Sequence, residues 1–220
     1  MTDVAPPIGE LSEDFFRRAR ARLTLDVPAA LHDHGAEGRR GDLDLDPALW
    51  ERAGVTATRP AAVLVPVVER PVPQVLLTLR TELPSHPGQI AFPGGKIDRH
   101  DRTPADAALR EAREEIGLES ALVEPIGYLD LYLTFSGFRI LPTLARVAPD
   151  YALKLSEAEV ADAFEVPLAF LMDAQNHALH SRDWKGVVRK YYAMPFGERY
   201  IWGVTAGILR NLYERIYEPA

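Results

Sequence analysis

The stretch FPGGKIDRHDRTPADAALREAREEIGL, residues 92–118, carries the densest chemistry in the chain and forecasts its own shape. Thr103 followed by Pro104 reads as an N-cap and first helical residue, with Asp106 placed where a helix N-terminus favours negative charge. Gly117 reads as the stop. Between them Ala105, Ala108, Leu109, Ala112 and Ile116 form an apolar stripe that can pack on a sheet. Glu111, Glu114 and Glu115 stand at i, i+3 and i+4 and gather on another face. Like charges so close repel, and hard divalent cations such as Mg²⁺ and Mn²⁺ take carboxylate and water oxygens. The plain alternative is a solvated acidic face softened by Arg110 and Arg113. Upstream, Pro93, Gly94 and Gly95 read as a loop whose glycines let backbone approach a ligand or metal.

Outward from this stretch the chain alternates strands and helices. The run AAVLVPVV at 61–68 and QVLLTLR at 74–80, joined by a Pro-Val-Pro turn, read as a hairpin, with Pro66 marking an edge or bulge. Residues 90–92 are a short extended piece. After the helix, 123–134 and 138–147 read as strands split by Ser136-Gly137, and 150–159 as an acidic loop. Residues 187–194 read as a strand and 201–217 as a helix packing through Trp202, Ala206, Leu209 and Leu212. Near the start, SEDFFRRARARL from Ser12 predicts an amphipathic helix with Phe16, Ala19 and Leu23 on one side. Residues 1–10 read as loose and 32–48 as a long surface loop. His32, Asp33 and His34 there lack partners at ligand spacing. Strands on both sides of a helix, with a second helix near the end, imply an α/β (α+β) fold, a mixed β-sheet sandwiched between helices.

Arg110-Glu111-Ala112-Arg113-Glu114-Glu115-Ile116-Gly117-Leu118, with Gly95 upstream, resembles the Nudix box. The helical half matches at every defined position. The first half departs from the pattern: Asp101 stands where a Glu is usual, and eight residues rather than seven separate it from Arg110. Residues 76–95, LLTLRTELPSHPGQIAFPGG, resemble the additional motif of the coenzyme A pyrophosphatase branch of that superfamily. Thr81 stands in place of Ser, and Pro84 where Arg is common. The branch often has the longer, Asp-containing box. The phrase Arg199-Tyr200-Ile201-Trp202-Gly203-Val204-Thr205-Ala206 also resembles its C-terminal part. Residues 164–171, FEVPLAFL, resemble the strand and short helix that often follow the catalytic core in the superfamily.

The resemblance implies a Nudix-type α/β/α sandwich over 56–220, preceded by an N-terminal extension over 1–55. It implies metal-dependent hydrolysis of the diphosphate of coenzyme A or a derivative, giving 3′,5′-ADP and a 4′-phosphopantetheine product. Mg²⁺ or Mn²⁺ would be held by Glu111, Glu114 and Glu115 with the backbone carbonyl of Gly95, and Arg110 would orient a glutamate. The general base is either a helix glutamate or one from a distal loop. Glu157 and Glu159 are the loop candidates, with Glu159 preferred. Arg80, His86, Gln89 and Lys96 are the substrate-binding candidates. Phe92 and Trp202 read as packing residues. The alternatives are a Nudix hydrolase of another nucleoside diphosphate derivative, such as NADH or ADP-ribose, and a non-catalytic nucleotide-binding module.

Composition bounds these readings. The 220 residues suffice for a substantial core. A net charge of −7 gives no basic footprint for coating nucleic acid, while local Arg and Lys still serve a small nucleotide. The absence of Cys excludes disulfide and thiol chemistry. No secretory signal and no long apolar run is evident, so a cytoplasmic location without membrane association is expected. A homodimer is implied only by the resemblance.

Overall fold

The computed structural model describes residues 12–33, 39–41, 44–45, 59–81, 88–184 and 187–218. The elements are α1 (Ser12–Arg22), β1 (Arg39–Gly41), β2 (Arg59–Val68), β3 (Gln74–Arg80), β4 (Ile90–Ala91), β5 (Gly94–Lys96), α2 (Pro104–Ile116), β6 (Val123–Tyr128), β7 (Leu131–Leu133), β8 (Phe138–Val147), β9 (Val160–Pro167), α3 (Leu168–Leu171), β10 (Ala178–Trp184), β11 (Val187–Phe196), β12 (Arg199–Trp202) and α4 (Val204–Tyr217). Residues 1–10, most of the 32–48 loop with His34, the 55/56 boundary and His86 lie outside the described residues.

Among the described residues, nine strands form one mixed sheet in the order β1-β7-β8-β2-β3-β4, with β5 on β2, β6 on β8 and β9 on β3. At its centre β2 and β8 run parallel from Arg59 opposite Phe138 to Val68 opposite Val147, whereas β3 and β5 are antiparallel to β2. Strand alternation sends side chains to opposite faces. Ala62, Leu64 and Val68 pack against Ala107, Ala108, Ala112 and Ile116 of α2. Val65 and Val67 join Phe15 and Phe16 of α1 and Leu209, Leu212 and Ile216 of α4 on the other side. The architecture is therefore the expected α/β/α sandwich around a mixed sheet.

Several local expectations change. The hairpin is only two pairs long, Val67 with Val75 and Val68 with Gln74. Above it β2 leaves β3 and takes β5 as its neighbour. Pro66 thus lies in a central strand, not at an edge. Leu64 donates its N–H to Pro93 O at 2.8 Å, so Pro66, facing the same way, places its missing donor in the gap where β5 gives way to β3. Gly94 and Gly95 belong to a strand instead of a loop, paired with Val63 and Ala62. The strand expected over 123–134 is two strands, β6 and β7, serving different halves of β8. The C-terminal helix begins at Val204, because Ile201 and Trp202 pair with Met194 and Ala193 in β12.

A separate antiparallel sheet, β10-β11-β12, stands beside the main one; only β11 was expected. At the other end of the chain, Phe15 and Phe16 of α1 are fully buried. Arg139 of β8, itself buried, donates to the carbonyls of Ala30 and Leu31 and fastens that segment to the sheet. Among the described residues no helix is long and apolar enough to cross a membrane.

Candidate active site

Gly94 and Gly95 lie flush against their neighbours. A Cβ at Gly94 would stand 2.4 Å from the carbonyl oxygen of Ala62, and one at Gly95 would stand 2.6 Å from the Glu111 carboxyl carbon. At Gly94 the neighbour is backbone and only glycine permits the approach, whereas at Gly95 a side chain would have to displace the Glu111 carboxylate. The space a side chain would fill at Gly95 is taken by the Glu111 carboxylate, so β5 and α2 meet there.

Helix α2 is built as its sequence dictates. Thr103 accepts a hydrogen bond from Asp106 N–H, Pro104 opens the first turn, and Gly117 closes the helix in the left-handed region at φ 69°. Its three glutamates reach different environments. Glu115 is 5% exposed. Gly94 N–H donates to its Oε2 at 3.2 Å, and the Arg80 guanidinium stands 3.9 Å from its Oε1. Burial pushes the Glu115 carboxyl up to about 7, reinforced by the charges of Glu111 and Glu159 and opposed by the Gly94 hydrogen bond and Arg80. Glu114 is half-exposed at the rim. The reading of one uniformly solvated acidic face therefore fails at Glu115.

Arg110 organises the rest. Its Nε and Nη2 donate to the two oxygens of Asp101, each at 3.0 Å. Its Nη1 donates to Glu111 at 2.8 Å and Glu114 at 3.2 Å, and Nη2 also reaches the Lys96 carbonyl at 3.1 Å. The bidentate pair holds the Asp101 carboxyl below its ordinary range. Asp101, where the box departs from its usual Glu, is thus the anchor of Arg110. Nothing in helical periodicity announces this contact, because the two residues lie on either side of the Thr103 cap; the position in the box was the only signal.

Of the substrate-binding candidates, Arg80 ends β3 and Lys96 ends β5. Arg80 N–H donates to Gln89 O at 3.0 Å, and Thr81 N–H donates to Glu159 O at 3.1 Å. The 150–159 loop is in turn fastened to the end of α2: Ser156 N–H donates to Glu115 O at 2.8 Å and Lys154 N–H to Ile116 O at 2.9 Å. Glu159 and Glu157 are exposed, Gln89 is half-buried, and Lys96 is exposed at the end of β5. The fold thus brings Arg80, Gln89, Gly95, Lys96, Arg110, Glu111, Glu114, Glu115 and Glu159 around the junction of β5, α2 and β3. Phe92 is core, as expected.

As they stand, no three carboxylate or imidazole groups among the described residues gather into one ligand set. Arg110 holds Glu111, and Gly94 and Arg80 hold Glu115. The donors converging on β5 are nonetheless all oxygens, carboxylate and carbonyl, the chemistry of Mg²⁺ and Mn²⁺. With the Gly95 cradle beneath Glu111, these residues fit a hard divalent cation.

A mixed-sheet sandwich with a carboxylate-bearing helix against a Gly-Gly strand defines the class, and sequence comparison gives the family. Residues 58–185 match the NUDIX domain, and the chain belongs to the Nudix family. It is 41% identical over 169 residues to the uncharacterized Nudix hydrolase NudL of Cronobacter sakazakii, spanning 73% of this chain and 84% of that protein. NudL of Escherichia coli K12, likewise uncharacterized, is 39% identical over 155 residues, spanning 70% and 81%. A C. elegans Ap4A hydrolase binary complex aligns with a TM-score of 0.41 at 21% identity, over 49% of this chain and 80% of that one.

Proposed function

We propose that the chain is a metal-dependent pyrophosphohydrolase acting on coenzyme A or a derivative, releasing 3′,5′-ADP and a 4′-phosphopantetheine product. The observation that carries this reading is the approach of Arg80 to Glu115 at 3.9 Å. It brings Arg80, from the stretch that resembles the coenzyme A branch, to the helix of the Nudix box.

Glu111, Glu114 and Glu115, with the Gly95 carbonyl, are the residues that would hold Mg²⁺ or Mn²⁺. Such an ion neutralises diphosphate oxygens and makes water more acidic. Arg110 holds Glu111 and Glu114 in place and is itself held by Asp101. Arg80, Gln89, Lys96 and His86 bind the phosphates of the substrate. Glu159, tied through the backbone to Thr81, takes the proton of the attacking water. The water oxygen bonds to one phosphorus, the bridging P–O bond breaks, and the bridging oxygen leaves with the other phosphate. We place the activity in the cytoplasm; a homodimer stays a proposal.

The test is mass spectrometry of products after incubation with coenzyme A and Mg²⁺ or Mn²⁺, with and without chelator. Metal-dependent 3′,5′-ADP and 4′-phosphopantetheine are expected. Cleavage of NADH or ADP-ribose with coenzyme A left intact would reject the substrate, and equal turnover of dephospho-coenzyme A would count against any demand for the 3′-phosphate.

A further inference from the structure

Alternation along the strands gives the small sheet two dissimilar faces. One carries Met194 and Ile201, buried in the core with α4. The pairings His180 with Tyr191, Arg182 with Arg189, Ala193 with Trp202 and Pro195 with Tyr200 put His180, Arg182, Arg189, Tyr191, Tyr200 and Trp202 together on the other.

The solvated face of an antiparallel sheet is ordinarily polar. Here it carries an aromatic row. His180 stacks on Tyr191 at 5.9 Å, Tyr191 meets Trp202 edge-on at 5.4 Å, and His180 meets Tyr200 at 6.4 Å. Tyr200 is 42% exposed, and His180 and Arg182 are exposed as well. At the end of the row Arg182 and Arg189 are paired in the strand register. Arg189 lies over the Phe135 ring at 3.6 Å.

The row is fastened to both flanks of the candidate active site. Thr205, just past β12, donates Oγ1 to Ile90 O at 2.9 Å, and Ile90 lies between Gln89 and the Gly94-Gly95 strand. At the other flank Phe135 belongs to the turn between β7 and β8, where Ser136 O accepts from Arg59 at the start of β2. Two residues further along β2, roughly 7 Å, Ala61 pairs with Lys96.

We propose that this face binds the phosphorylated purine end of a nucleotide, the aromatic row taking the ring by stacking and the Arg182–Arg189 pair taking a phosphomonoester. Arg182 and Arg189, partners in the strand register, offer two planar donor forks of the kind that suits a phosphate dianion. A second copy docking through a two-fold axis would present the same cations to themselves. The net charge of −7 disfavours an extended nucleic acid. That the nucleotide is the 3′-phosphoadenosine portion of coenzyme A rests on the function proposed above.

The tryptophans are Trp50, Trp184 and Trp202, so in a W50F/W184F chain Trp202 alone reports. Titration with 3′,5′-ADP is expected to quench it saturably. R182Q, at an exposed position and checked by its melting curve, is expected to weaken that binding about ten-fold and to raise KM for coenzyme A by a like factor. Quenching that R182Q leaves unaltered, or no quenching while R182Q cleaves coenzyme A at unaltered KM, overturns the proposal and leaves the hydrolase reading standing. If coenzyme A is not cleaved at all, that reading fails alone. The same titration with AMP then decides the surface: quenching sensitive to R182Q supports it and absence of quenching overturns it.

Discussion

Burial raises the Glu115 carboxyl to about 7 against an ordinary 4.5, so between those pH values the folded chain keeps a proton that the unfolded chain has released. Stability without metal therefore falls as pH rises through that window and stays reduced above it, by about 3 kcal/mol. Glu115→Gln removes the charge. In chelator, its melting temperature relative to the parent is expected to be roughly 6–12 °C more favourable at pH 8 than at pH 5, while turnover falls by orders of magnitude. An equal difference at both pH values would mean that Glu115 ionises freely. The three glutamates were legible from their i, i+3, i+4 spacing. Their inequality was not, because the group that buries Glu115 is a strand arriving from elsewhere in the chain. Asp101 shows the same limit: its residue type looked like a departure, and only its bidentate contact with Arg110 gives it a purpose.

At the scale of elements, α2 was readable end to end. Its cap, opening proline and closing glycine act within one turn of the helix, and the structure places them at Thr103, Pro104 and Gly117. Gly117 also couples two elements. Its φ of +69° is costly for other residues, and a Cβ there would stand 2.9 Å from Lys154 N. Gly117→Ala is expected to cost more than about 1 kcal/mol in urea denaturation. It should also lower turnover, by displacing the loop that Ser156 and Lys154 fasten to the helix. Lost stability with unchanged turnover would separate that loop, and Glu159 with it, from the chemistry. The strands were less legible. Pro66 argued for an edge and Gly94-Gly95 for a loop, yet both lie within the sheet, since a proline is tolerated where neighbours change and glycines where two backbones and a carboxylate crowd together.

Across the whole molecule, the segment before residue 58 lies outside the family match, but α1 closes one face of the sandwich. We propose that α1, within the extension expected over 1–55, is a layer of the fold. Phe16 is fully buried beside α4 and the sheet, and Phe16→Ala is expected to cost about 3–5 kcal/mol, read as a lower denaturation midpoint. A shift below about 1 kcal/mol would make α1 a dispensable attachment. By itself the sequence determined the catalytic-type helix, its caps, its carboxylates and the box that marks the family, because these are set by residues a few positions apart. The tertiary structure decided which carboxylate is buried, what Asp101 holds, how β2 divides its partners, and where the aromatic face of β10–β12 lies. Those outcomes depend on contacts across long separations, 21 residues from Gly94 to Glu115 and 115 from Ile90 to Thr205, and no local periodicity encodes the packing that closes them.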